Sequence, residues 1–188
     1  MIVHLAARSR CLPVNSNVRA LVNIWLAALA AVVIQPLFFL LLLAPDYLSS
    51  SQPLYGIQLA LLGVVVVAAA AVLVLGVPVF LLLRRYRRDS WVSLATAGFV
   101  LGALPAIFSW PSHLEGFSAG QNWHGKYVET YVNGVPTVYA WLTYGEGVLN
   151  FAAHGLIGAL AYYSVWRWRE RPNHSFCGTP HGARQFKR

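Results

Sequence analysis

Four long stretches of this chain carry no charged residue, and their length decides most of what it can fold into. The first runs from Ala20 to about Ala44, between Arg19 and Asp46. The second runs from about Tyr55 to Leu83 and holds the block VVVVAAAAVLVLGV. The third spans Trp91 to Trp110, and the fourth is uncharged from Gly147 to Trp166, between Glu146 and Arg167. A helix needs about 20 apolar residues to cross the roughly 30 Å hydrocarbon core. Valine favours strands, but a lone strand in lipid would leave its backbone groups unbonded, so helix is the continuous solution. The expected fold class is an all-α integral membrane protein. It is a four-transmembrane-helix bundle with spans at about 20–44, 55–83, 91–110 and 146–167, joined by an external loop at 111–145.

Composition agrees. Only 11% of the residues are charged and 57% are hydrophobic, where a soluble domain carries about 25% charged residues. A small soluble fold leaves much of its surface in water and cannot hide that much apolar area. A cleaved signal peptide does not fit the N-terminus, because residues 1–19 are polar and the apolar run after them is too long for a signal core.

The net charge of +8 is distributed in blocks beside the spans. Of the 14 Lys and Arg residues, 13 fall in the two tails and the short Arg84–Asp89 loop, and Lys126 alone falls on the other side. The positive-inside rule then puts the tails, 1–19 and 169–188, in the cytoplasm. The same blocks attract anionic lipid headgroups and need no nucleic-acid partner. Cys11 and Cys177 lie one in each tail, where a cytoplasmic setting keeps them reduced. The tail after Arg171 is basic and rich in turn formers, and is expected to be disordered. Trp25, Trp91, Trp110, Trp166 and Trp168 lie near span ends, where indoles favour the membrane interface.

Small residues mark the expected helix contacts. Gly98 and Gly102 form a GxxxG pair in the third span, and Gly155 and Gly158 lie in the fourth. Such positions let helix backbones approach closely in lipid, within one chain or between the copies of a homo-oligomer. Pro36, Pro78 and Pro105 each remove a backbone donor inside a span and are expected to kink it.

Two regions hold the candidate functional residues. The external loop is aromatic, and Trp123, Tyr127, Tyr131, Tyr139 and Trp141 surround the dipeptide Asn133-Gly134. Asn-Gly favours a type I′ turn, which predicts a small β-hairpin pairing Val132 with Val135, Tyr131 with Pro136, Thr130 with Thr137 and Glu129 with Val138. The rival reading starts a helix at Pro136 and runs it into the fourth span. An exposed hairpin is marginal alone, so it rests on lipid, on the bundle or on a membrane or periplasmic partner. The second region is Glu146, Asn150 and His154, spaced four apart and so on one helix face. Ionisable groups at membrane depth pair inside the bundle or mark a path; Asn23, Gln35 and Gln58 are available partners.

Catalytic signatures are absent: there is no GxSxG, HExxH, Walker A or dinucleotide fingerprint. No cofactor is expected, because one intramembrane histidine does not supply two haem ligands. His113, Glu115, His124 and Glu129 match no metal spacing, and His174, Cys177 and His181 lack a fourth ligand. Arginine far exceeds lysine, 12 to 2, and the pattern is that of a bacterial inner-membrane protein. The leading expectation is a non-enzymatic accessory or interaction protein presenting its external loop to a partner. The alternative is a small oligomeric transporter or channel with a polar path near His154.

Overall fold

A computed structural model describes residues 16–48 and 56–170. The expectations for the two tails beyond these residues, and for most of the first loop, lie outside them. Four helices follow in order: α1 (Ser16–Leu48), α2 (Ile57–Arg85), α3 (Trp91–Ile107) and α4 (Val138–Glu170). Between α3 and α4 a small sheet is built from β1 (Ala119–Trp123), β2 (Lys126–Val132) and β3 (Val135–Pro136). Three helices, α1, α2 and α4, are long and apolar enough to cross a membrane, and α3 is a shorter apolar helix of 17 residues.

The surface of α2 is apolar along nearly its whole length. Phe80 is its one buried residue, while Leu59 is 76% and Val74 69% exposed. Contiguous apolar surface on that scale is not tolerated in water. Three long apolar helices with such surfaces fit a membrane protein.

Prolines are absorbed differently. The α1 helix passes Pro36 without a break, but α2 widens into a π-helical turn at Val72–Gly76, just before Pro78. There the Val77 N–H donates to Val72 O, one residue further back than in an α-helix. Pro78 has no N–H to continue either register, and a π-turn is a known way to take up such a mismatch. The reversal from α2 to α3 is tight. Arg88 N–H closes back on Leu83 O at 2.9 Å with Arg87 in the left-handed region, a Schellman-type end. Ser90 then caps α3, its hydroxyl accepting from Ser93 N–H at 3.2 Å.

Helix packing relies on small side chains. The buried apolar residues on α1 are Ala27, Ala28 and Ala31, and those on α3 and α4 include Ala95, Ala103 and Ala152. At the arginine-rich end, Phe80 packs on Tyr162 (4.8 Å between centroids) and on Trp166 (5.2 Å). Trp166 is therefore a core residue, 2% exposed, and not one of the interfacial indoles. The sequence places it at a span end but does not say which way it points. Trp25, Trp91, Trp110 and Trp168 are exposed.

The hairpin is present, with an added strand. Tyr131 pairs with Pro136 and Val132 with Val135, across a turn in which Asn133 and Gly134 both have positive φ. The ladder stops there. Thr137 N–H donates to Thr130 O at 2.9 Å, and its hydroxyl to Glu129 O at 2.6 Å. Val138 then opens α4 instead of facing Glu129. Strand and helix readings of this stretch are each correct for part of it. The unforeseen β1 pairs antiparallel with β2, with a bulge between Ala119 and Gly120. His124-Gly125 makes the turn, both at positive φ.

Gly134 is locked twice, by φ +83° and by the Leu114 carbonyl, which lies where a Cβ would stand. Gly134→Ala is expected to destabilise the sheet by about 2 kcal/mol or more, strain and clash together. At Gly125, φ is +77° but nothing lies within 4 Å of a Cβ, so Gly125→Ala should cost only about 1 kcal/mol of strain. Amide hydrogen exchange across β2 reads the difference.

Candidate functional site

Three features bring the candidate residues together, one at the sheet and two among the helices. The first ties the sheet to α4. Trp123 Nε1 donates to Glu146 Oε2 at 2.6 Å, and His124 Nε2 lies 3.6 Å from the other carboxylate oxygen. Trp123 also packs edge-on against Tyr139, with centroids 5.8 Å apart. On the bundle side of β2, Val128 and Thr130 are buried, and the Thr130 hydroxyl donates to Ala119 O at 3.1 Å.

The aromatics of the loop thus divide by role. Tyr131 packs on Phe117, and Trp141 packs between Trp110 and Tyr144. Tyr144 donates its hydroxyl to Ile107 O at 3.1 Å, which holds the ends of α3 and α4 together. Gly134 is clamped between Leu114 and Phe117 by two backbone bonds, and Asn133 N–H bonds the Ser118 hydroxyl. Tyr127 stands apart at 75% exposed. Trp123→Phe keeps the packing and removes the charge-assisted bond. Since the Glu146 side chain is about half exposed, a loosening of about 1 kcal/mol is expected, seen as faster proteolysis of the 119–136 segment.

The second feature is a clasp between α1 and α4. Gln35 Nε2 donates to the His154 carbonyl at 3.0 Å, and His154 Nδ1 lies 2.7 Å from Gln35 Oε1. A carbonyl can only accept, so the amide orientation is forced. Its oxygen therefore accepts from Nδ1–H, which sets the tautomer of a neutral ring. Phe38 packs edge-on to the imidazole at 4.7 Å. Gly158, one turn on, leaves room for this amide: a Cβ there would sit 2.7 Å from Gln35 Nε2. Of the other polar groups on α1 and α2 named as possible partners, Asn23 accepts from Arg169 Nε at 3.2 Å, and Gln58 is exposed.

The structure therefore splits the Glu146, Asn150 and His154 stripe. Glu146 belongs to the sheet anchor, His154 to the clasp, and Asn150 is exposed on the wall of a cavity that His154 also lines.

That cavity is the third feature. It measures about 500 Å³ and lies between the groove-side face of α2 and a wall made by α1, α3 and α4. Its lining is apolar, with Phe39, Phe80 and Phe151 among the aliphatic side chains, apart from Gln35, Asn150, His154 and Tyr162. The wall behind it is held by glycines. A Cβ on Gly98 would sit 2.5 Å from Gly155 O and from the Ala159 Cβ, one on Gly102 would meet Phe151 O, and one on Gly155 would meet Gly98 O. The GxxxG face of α3 is thus covered by α4 of the same chain.

Sequence reading missed β1 and the Trp123–Glu146 bond. A signal for the strand existed in His124-Gly125, because His and Gly both tolerate left-handed backbone. No family model matches this chain, and no characterised protein or solved structure is detectably similar to it.

Proposed function

We propose that the chain is a four-span bacterial inner-membrane protein with both termini in the cytoplasm. It acts without catalysis, as an accessory or interaction subunit that offers its external sheet to a membrane or periplasmic protein. The observation that carries this reading is the sheet itself. Residues 119–136 are tied to α4 through Trp123 and Glu146, and Tyr127 and the edge strand β1 are left facing outward. An unpaired strand edge beside an exposed aromatic is a surface suited to strand addition by a partner.

Orientation is supported by the arginine asymmetry and by α3 as the fourth crossing, since 17 residues is at the short end of the spanning range. The native cysteines test it. In intact cells, a membrane-impermeant maleimide should leave Cys11 and Cys177 unlabelled and should label Gln121→Cys. Labelling of the native pair without permeabilisation would reverse the topology.

Partner recognition is tested by placing a photo-crosslinking residue at Gln121 or Tyr127, with Leu59 on the lipid-facing side as control. The expected result is one heterologous protein, captured from both sheet positions and not from Leu59. Capture of lipid alone at all three positions would remove the interaction reading.

The second reading, a small oligomeric transporter or channel, is favoured by Asn150 and His154 lining the cavity. Its largely apolar lining favours a hydrocarbon occupant over a hydrated ion. Proton-coupled flux in liposomes, lost in His154→Leu, would turn the balance toward it.

A further inference from the structure

We propose that the cavity between α2 and the α3–α4 wall holds one acyl chain of an anionic phospholipid, with its phosphate on Arg84 and Arg87. The proposal rests on the membrane reading above and goes beyond it by assigning a site. Protein interiors are close-packed, and an opening of about 500 Å³ falls in the range of ligand sites rather than packing defects. Water is a poor occupant of the largely apolar part of this lining, since apolar cavities stay dry. No side chain of α2 fills the space, because Phe80 alone is buried along that helix. Around a membrane protein, the apolar material at hand is lipid.

The charge pattern says which lipid. Cavity-lining residues on α2 continue in helical rows toward the arginine-rich end. Gly76 and Phe80 lead to Arg84 at the next i+4 step, and Arg87 follows in the closing turn past the helix end, its N–H bonded back to Arg84 O. The largely apolar lining thus runs as far as Leu83, at the helix end that carries Arg84, Arg85, Arg87 and Arg88. Arg84 is only partly engaged, by Glu170 at 3.4 Å and over the Trp166 ring at 6.0 Å. Guanidinium groups bind phosphate oxygens in a fork that suits a phosphodiester. Gly76 lies seven residues from Leu83, roughly 10 Å deeper along the helix, within reach of an acyl chain whose headgroup sits at the surface.

The test uses the whole protein in nanodiscs of equal phosphatidylglycerol and phosphatidylcholine, followed by native mass spectrometry. Incorporation with one phosphatidylglycerol retained per chain, favoured roughly tenfold over phosphatidylcholine, supports the proposal. Ala71→Phe, which fills the cavity from α2, should lose the retained lipid while far-ultraviolet circular dichroism holds its helical signal. Arg87→Gln, which leaves the Arg84–Glu170 contact in place, should retain lipid but lose most of the headgroup preference. Equal retention of the two lipids by the native chain overturns the proposal, as does retention unchanged by Ala71→Phe. Both outcomes leave the membrane reading standing; a chain that does not enter nanodiscs overturns both.

Discussion

Replacing Gly155 with leucine is expected to break the α3–α4 pair outright. Even a Cβ at this position would overlap the Gly98 carbonyl, and the α carbon of Gly102 would lie 2.9 Å away. Both obstacles are backbone, so no rotamer change relieves them; the helices must separate. Overpacking typically costs about 1–3 kcal/mol where side chains can yield, and here the upper figure is the lower bound. Separation also forfeits the close packing that stands in for the hydrophobic effect between helices in lipid. Gly145→Ala and Gly147→Ala on the same helix are the controls, because a Cβ at either meets nothing within 4 Å. They should be neutral or should stabilise α4 by up to about 1 kcal/mol, since glycine is a poor helix residue. Unfolding in mixed micelles with increasing sodium dodecyl sulfate, followed by tryptophan emission, ranks the three. Equal midpoints for Gly155→Leu and the controls would refute the arrangement of the two helices.

The clasp between α1 and α4 gives the second large effect. Gln35→Leu removes both partners of His154 at once, and Gln35 is only 7% exposed. A buried polar group left unpaired costs about 1–3 kcal/mol, although interhelical hydrogen bonds in membranes average nearer 0.6 kcal/mol, with a maximum of about 1.7. A loss of about 2 kcal/mol is expected for Gln35→Leu and somewhat less for His154→Leu, which keeps its backbone carbonyl as acceptor. In the double variant, the imidazole and amide are removed together, so the two losses should fall short of adding by about 1 kcal/mol. Additive losses would mean that the side chains do not couple. His154 acts here as a positioning residue, and the cycle reads the pairing itself.

Much of the fold was legible because lipid makes the code simple. Uncharged runs of sufficient length announce helices, and Asn133-Gly134 announces its turn with the register of Tyr131 and Val132. What stayed hidden depends on direction rather than depth. Trp166 sits where indoles favour the interface, yet it faces Phe80. The spacing of Glu146, Asn150 and His154 places them on one face of α4, but no periodicity says that the face meets a sheet at one end and α1 at the other. Strand β1 is hidden for another reason. Ala-Gly-Gln-Asn has little strand preference, and it pairs because β2 supplies a template and Gly120 admits the Tyr127 ring, which lies where a Cβ would stand. Of the polar groups on α1 and α2, sequence offers Gln35 among equals; only the room left by Gly158 selects it.

The contacts of α1 with α4 also set an order of assembly. Helix α1 finds its principal partner in α4, so during synthesis it must wait for α2 and α3 to be made, with Asn23 and Gln35 unmet until Arg169 and His154 arrive. A chain halted before α4 is complete would present two unsatisfied amide side chains to lipid, a mark by which membrane quality control can recognise an unfinished product. Pairing across so long a stretch of sequence makes the arrival of α4 the step that completes α1.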